Sequence, residues 1–290
     1  MTTEEKIAKA WSPSHITGFF AAHRHDKPHL SGSIGAGLCL SLGAAITVEP
    51  APDLEKTEIL LNGKASEAPV SRFVAERLAG DREPVRLMTR LDMPSGAGFG
   101  ASGAGALGAA YALNSCFDLG LTANQAAAVA HEAEVIYRTG LGDVIAQNRG
   151  GLVVRLYPGA PGTGKIDRIP VPPLPISYVV RGPISTREIL SNERAMKAVN
   201  SAGEQALKEL LKKPTLANFM RLSYSFTLES GLASDWALEA IEAVQAAGGT
   251  ASMIMLGDAV FAWGGESEKA LQAFGEVQTT TISQRGANLD

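Results

Sequence analysis

The segment 92–104, Asp-Met-Pro-Ser-Gly-Ala-Gly-Phe-Gly-Ala-Ser-Gly-Ala, constrains this chain more than any other. Glycines at alternate positions allow positive φ and let a backbone come close to a ligand. An alanine-rich run then continues to about Cys116, and it reads as a helix starting at Ala101. The first N–H groups of such a helix lack intrahelical partners and carry partial positive charge, which suits a polyphosphate. Ser102 falls in the first turn, where its hydroxyl can ligate a cation that bridges phosphates. The candidate nucleotide-binding residues are therefore Pro94, Gly96, Gly98, Gly100, Ala101, Ser102 and Gly103.

Two other glycine readings compete. Gly159 to Lys165 has P-loop spacing, but Ile166 stands where a Mg²⁺-binding hydroxyl is required. Pro170, Pro172 and Pro173 follow, and proline does not continue a helix. Gly98-x-Gly100-x-x-Gly103 matches a dinucleotide fingerprint and keeps a nicotinamide-dependent oxidoreductase open as a rival. That fingerprint needs an acid at the end of the next strand. Asp118 has nearly the right spacing, yet 114–121 joins two expected helices.

Composition narrows the class. The chain has 290 residues and a net charge of −4, with no basic block interleaved with aromatics, which argues against a nucleic-acid partner. No apolar run reaches the ~18 residues that span a bilayer. The first residues are charged and lack the apolar core of a signal peptide. Cys39 and Cys116 each sit in an apolar run and read as buried thiols. A cytoplasmic globular protein is expected.

The chain begins as strands and turns. Residues 36–42 and 44–48 are short apolar runs separated by Gly43, and 57–61 meets Asn62-Gly63, a hairpin signal. A helix is expected over 69–79, a strand over 85–89, helices over 101–116 and 123–137 (the second capped by Thr122), and a strand over 152–157. Later come a strand at 176–181, helices at 192–211, 216–229 and 235–247, and a hairpin of 252–256 with 259–263. A helix at 267–274 and a strand at 277–282 close the list of elements. Strands and helices come in blocks, so the class is α+β. The division expected is an N-terminal lobe over 1–160, a Pro/Gly-rich link over 161–175 and a C-terminal lobe over 176–290.

The 92–104 segment resembles the phosphate motif of the GHMP kinase superfamily, Pro-x-x-x-Gly-Leu-Gly-Ser-Ser-Ala. Pro94, Gly98, Gly100 and Ser102 match; Phe99, Ala101 and Gly103 depart from it. The superfamily also places a glutamate on a helix, then an aspartate, then a Gly-Gly turn. Glu134, Asp143 and Gly150-Gly151 follow that order. Glu132 is the alternative glutamate, but Glu134 shares a helix face with His131 at i,i+3, whereas Glu132 points roughly 160° away. Within the superfamily, Ser14 to Phe20, Gly32 to Gly37, His131 to Glu134, Thr139 to Asp143 and Met255 to Asp258 resemble the archaeal pantoate kinases. The superfamily's C-terminal Gly-Ala-Gly-x-Gly-Gly motif is absent; Ala247 to Ser252 stands nearby.

The resemblance implies two lobes, the N-terminal one like domain 2 of ribosomal protein S5 and the C-terminal one α/β. It implies ATP and Mg²⁺, and phosphorylation of the terminal hydroxyl of pantoate to 4-phosphopantoate in coenzyme A biosynthesis. Homoserine- or mevalonate-type kinases and a non-catalytic nucleotide sensor are the alternatives. Ser102 and Glu134 are the expected Mg²⁺ ligands, an oxygen set that suits a hard cation. Asp143 is the expected base. Arg155 is placed to grip the substrate carboxylate, with Ser33 and His131 as further substrate contacts. His23, His25 and His29 read as a substrate-side loop in preference to a zinc site. The partner expected is the small-molecule substrate, with a homodimer admitted.

Overall fold

The computed structural model describes residues 7–183 and 193–290. Residues 1–6, where no signal peptide was expected, and Asn192, an expected helix start, lie outside them. Two long strands, β1 (Ala8–His23) and β2 (Gly32–Pro50), run antiparallel from Ala8 opposite Val48 to His23 opposite Gly32. The interruption expected at Gly43 is absorbed by a register shift at Pro13/Ser14, and β2 continues through it. On its far edge β2 changes partner. Residues 44–50 pair with β5 (Val85–Leu91), and residues 35–38 pair with β6 (Leu152–Tyr157). The edges are completed by β3 (Glu58–Leu61) and β4 (Lys64–Ala65) beside β5, and by β7 (Lys165–Ile169) beside β6. Asn62 and Gly63, at φ 49° and 76°, make the tight turn that their sequence announces.

That change of partner positions the site. The chain leaves β5 at Leu91, and the Asp92 N–H donates to the Gly43 carbonyl at 2.9 Å. The glycine segment therefore starts at the fork in the sheet and runs into α2 (Ala101–Cys116). This helix is buried on nearly every side, which its small residues permit. Beside it lie α1 (Pro69–Ala79) and α3 (Ala123–Tyr137). At α3, Thr122 and Gln125 form a reciprocal capping box, worth ~1 kcal/mol by comparison with measured caps.

The second sheet is antiparallel, in the order β11 (Gln278–Thr281), β8 (Pro175–Pro183), β10 (Gly257–Trp263), β9 (Thr250–Met253). Helices α5 (Glu193–Lys212) and α6 (Leu216–Ser230) pack against β1, and α6 and α7 (Asp235–Ala246) pack against β9. Phe19 of β1 meets Phe219 and Phe226 of α6 at ring separations of 6.1 and 6.5 Å. Phe219 in turn meets Phe261 of β10 at 6.4 Å. One apolar core therefore runs between the two sheets.

The architecture is α+β, as expected, with four local corrections. The 161–175 stretch is only partly a link: Lys165–Ile169 is strand β7 of the first sheet, leaving 170–174 to cross. The C-terminal half is not self-contained, because β12 (Asn288–Leu289) returns to pair with β1. The strand expected over 252–256 stops at Met253. The helix expected over 267–274, α8, ends at Leu271. No helix among the described residues is long and apolar enough to cross a membrane.

Candidate active site

A cavity of about 530 Å³ opens beside the first sheet, where the glycine segment meets the turn before β10. Ser95, Gly96, Gly98, Phe99, Gly100, Ala101 and Ser102 line it; Pro94 and Gly103 support this wall without lining it. Gly98 has φ +84°, and a Cβ there would lie 2.6 Å from the Met255 carbonyl oxygen. The residues after β9, Met255 and Leu256, thus cover the segment and line the same cavity. Leu256 has φ 67°, an uncommon state for a bulky residue. These residues, not Ala247 to Ser252, are what the C-terminal half brings to the glycine segment.

Gly100 is left-handed at φ 63°, and no side chain caps α2. The Gly100 carbonyl accepts from the Ala104 N–H at 2.9 Å and from Gln147 Nε2 at 2.8 Å. Gln147 ends the short helix α4 (Asp143–Gln147), and Asp143 begins it. Residues four apart share a helix face, so α4 presents both side chains to the start of α2.

Glu134 is buried on α3 beside this point. It accepts from Thr139 Oγ1 at 2.6 Å and from the Ser102 hydroxyl. Arg138, at φ 59°, ends α3 and reverses the chain so that Thr139 can reach back. Burial pushes the Glu134 carboxyl up to about 7, against the two hydroxyl hydrogen bonds that favour its ionised form. Ser102 and Glu134, paired in the sequence reading, are thus in contact. The donor set fits a hard cation: the Ser102 hydroxyl at the cavity wall and the Glu134 carboxylate buried behind it, with no ion-pair partner for Glu134 among the described residues. No cluster of three or more His, Cys, Asp or Glu side chains is placed to hold a metal among the described residues, which excludes a zinc-like cage there. A Mg²⁺ that takes one carboxylate plus phosphate oxygens needs no such cluster.

Asp143, Ser33 and Arg155 line the same cavity, Asp143 close to Gly100. A Cβ on Gly142 would collide with Ser33 Oγ and approach Arg155 Nε to 2.7 Å, so the turn before α4 closes over both. Arg155 is 1% exposed and forms no ion pair among the described residues. Its Nε has no hydrogen-bond partner among the described residues. Burial lowers its pKa to about 10, which still leaves it charged at neutral pH. A buried, unpaired cation costs several kcal/mol.

One stretch of the wall is apolar, formed by Ile59, Leu61, Pro69, Val70 and Leu91. Set into it is the Thr89 hydroxyl, buried without a partner among the described residues.

Some expectations are not met here. His131 does not line the cavity. Its Nε2 is 2.8 Å from the Ser31 carbonyl oxygen, and it braces the loop that precedes Ser33. His25 accepts from the Lys27 N–H, and neither it nor His23 or His29 lines the cavity. The rival glycine readings also fail. After α2 the chain turns directly into α3 with no intervening strand, and the Gly159 to Lys165 stretch is the turn of the β6–β7 hairpin. Neither cysteine forms a disulfide; both are buried. Conversely, sequence reasoning missed His15, Thr139 and Gln147. His15 and Thr139 lie in the strings Ser14 to Phe20 and Thr139 to Asp143, which carry the resemblance but gave neither residue a role. Gln147 carries no spacing signal.

Residues 52–151 match the family model described as the GHMP kinases N terminal domain. The chain is 38% identical to a pantoate kinase of Thermococcus kodakarensis, covering 93% of each chain. A solved structure described as a phosphotransferase related to the CoA biosynthesis pathway superposes with a TM-score of 0.87 at 33% identity, covering 98% of this chain and 99% of that one. The mevalonate diphosphate decarboxylase of Staphylococcus aureus shares the fold at a TM-score of 0.76 and 13% identity, covering 100% of this chain and 99% of that one. The chain is a member of the GHMP kinases and, within them, of the pantoate kinase family.

Proposed function

We propose that this protein is an ATP-dependent kinase that phosphorylates the terminal hydroxyl of pantoate, giving 4-phosphopantoate for coenzyme A biosynthesis. The observation that carries the reading is Arg155. A buried guanidinium with an unpartnered Nε, beside an aspartate and facing a cavity, calls for an anionic ligand. The carboxylate of a hydroxy acid meets that demand, and Ser33 stands at hand for a second polar contact. Family membership supports the choice of pantoate.

Phosphoryl transfer depends mostly on positioning and charge neutralisation. The uncapped start of α2 and the backbone at Gly96, Gly98, Gly100 and Ala101 hold the phosphates, with Pro94 and Gly103 shaping the wall. The apolar wall and Thr89 receive the base. Ser102 and Glu134 would hold Mg²⁺, which would supply neutralisation of the phosphate charge. Asp143 orients the attacking hydroxyl and accepts its proton, through the carboxylate oxygen that points away from His15. The turn 139–142 and Leu256 exclude water from this point.

The test is direct. Purified protein with ATP, Mg²⁺ and pantoate should yield ADP and phosphopantoate. Good turnover of homoserine or mevalonate without turnover of pantoate rejects the reading.

A further inference from the structure

His15 is fully buried on β1, and its ring joins the two polar groups that face the substrate side of the cavity. Nδ1 lies 2.8 Å from Asp143 Oδ1, and Nε2 lies 3.3 Å from Arg155 Nη1. The chemistry of the partners assigns the proton. A guanidinium only donates, so Nε2 accepts from Arg155. The ring's one proton then sits on Nδ1 and is donated to Asp143. Burial lowers the His15 pKa, in keeping with a neutral ring.

The sheet makes room for this arrangement. His15 is on β1 and Arg155 is on β6, with β2 between them. Gly37 stands on β2 at the crossing, and a Cβ there would collide with His15 Nε2. The imidazole passes over the one residue type that leaves its path open. The His15 N–H donates to the Phe99 carbonyl at 3.0 Å, fixing the same residue to the glycine segment.

We propose that His15 is a positioning residue that couples the two halves of substrate handling. One nitrogen aims the Asp143 carboxylate at the hydroxyl, and the other holds Arg155 in place for the carboxylate. Through this ring, the grip on the acid end of the substrate and the aim of the base at the alcohol end form one unit. The inference rests on the roles proposed above for Asp143 and Arg155.

Two conservative variants separate the halves, because an Asn amide nitrogen stands near the place of Nδ1 and a Gln amide near that of Nε2. His15→Asn keeps the donor to Asp143 and loses the acceptor for Arg155. Its KM for pantoate should rise at least tenfold, with kcat within a fewfold of wild type. His15→Gln keeps the acceptor and loses the donor. Its kcat should fall at least tenfold, with the pantoate KM nearly unchanged. The KM for ATP should stay near wild type in both. Wild-type parameters in both variants would overturn the proposal. Equal losses in kcat and in both KM values, with a lowered melting temperature, would also overturn it and mark a purely structural histidine. Asp143→Asn is measured alongside: near-normal turnover there removes the base reading itself, whereas a dead Asp143→Asn beside unaffected His15 variants removes only the coupling.

Discussion

Gln147 Nε2 donates to the Gly100 carbonyl across 2.8 Å, locking the helix that carries Asp143 to the start of the helix that faces the phosphates. The aspartate and the phosphate wall therefore keep a fixed separation, which in-line transfer requires.

Asp143→Asn retains the shape of the side chain and removes the proton acceptor. Turnover should fall by roughly 10²–10⁴-fold, the usual range for a general base. ATP affinity, measured by calorimetry, should change little.

Ser102→Ala and Glu134→Gln remove the oxygens assigned to the cation. Both variants should need several times more Mg²⁺ for half-maximal activity, while pantoate KM measured at saturating Mg²⁺·ATP stays close to wild type. A Mg²⁺ titration of initial rates reads this directly; unchanged Mg²⁺ dependence in both would remove the assignment.

Gly98→Ala forces a methyl into the left-handed region and against the Met255 carbonyl. Strain of this kind costs about 1–3 kcal/mol. The melting temperature should drop and the KM for ATP should rise, because the segment yields where it faces the phosphates.

Thr89→Val deletes a buried hydroxyl that has no partner among the described residues. An unpaired buried polar group costs ~1–3 kcal/mol, so stability should hold or increase. ATP binding should weaken, since the hydroxyl is set in the wall assigned to the base. Weaker folding with unchanged ATP affinity would argue against that assignment.

His131 titrates with a pKa lowered by burial, despite its hydrogen bond to the Ser31 carbonyl. The folded state thus binds fewer protons than the unfolded state below the ordinary histidine value of about 6.5. Stability from this group is fully present above that pH and is lost as pH falls through the folded-state pKa. Urea midpoints between pH 5 and 8 should decline on the acid side, and His131→Gln should make that decline shallower. His15 adds to the same slope and remains in the variant.

Local signals carried much of the fold. The boundaries of α1, α2 and α3 follow from Pro69, from the glycine-to-alanine change at Ala101 and from the Thr122 cap, each decided within a few residues. The elements that escaped depend on distant partners. Lys165–Ile169 sits in a stretch whose prolines and glycines read as a link, and it is a strand only because β6 lies beside it. Asn288–Leu289 is too short to show any period and is ordered by β1. The site divides the same way. Ser102, Glu134, Asp143 and His15 all stood in recognisable strings, but what His15 does shows only when β1, β6 and α4 converge. His131 carried the same helical spacing to Glu134 that suggested a shared role, but its ring turns to the Ser31 backbone.

The pairing of β1 with β12 also bears on how the enzyme comes into being. The strand that carries His15 has β2 on one edge and residues 288–289 on the other, and helices from the second half of the chain cover it. During synthesis that strand emerges early and waits while both sheets are made. Contacts so far apart in sequence slow folding, and an exposed strand edge invites pairing with another chain. Catalytic competence is thus expected to be among the last properties the nascent chain acquires, with the waiting strand as its most vulnerable part.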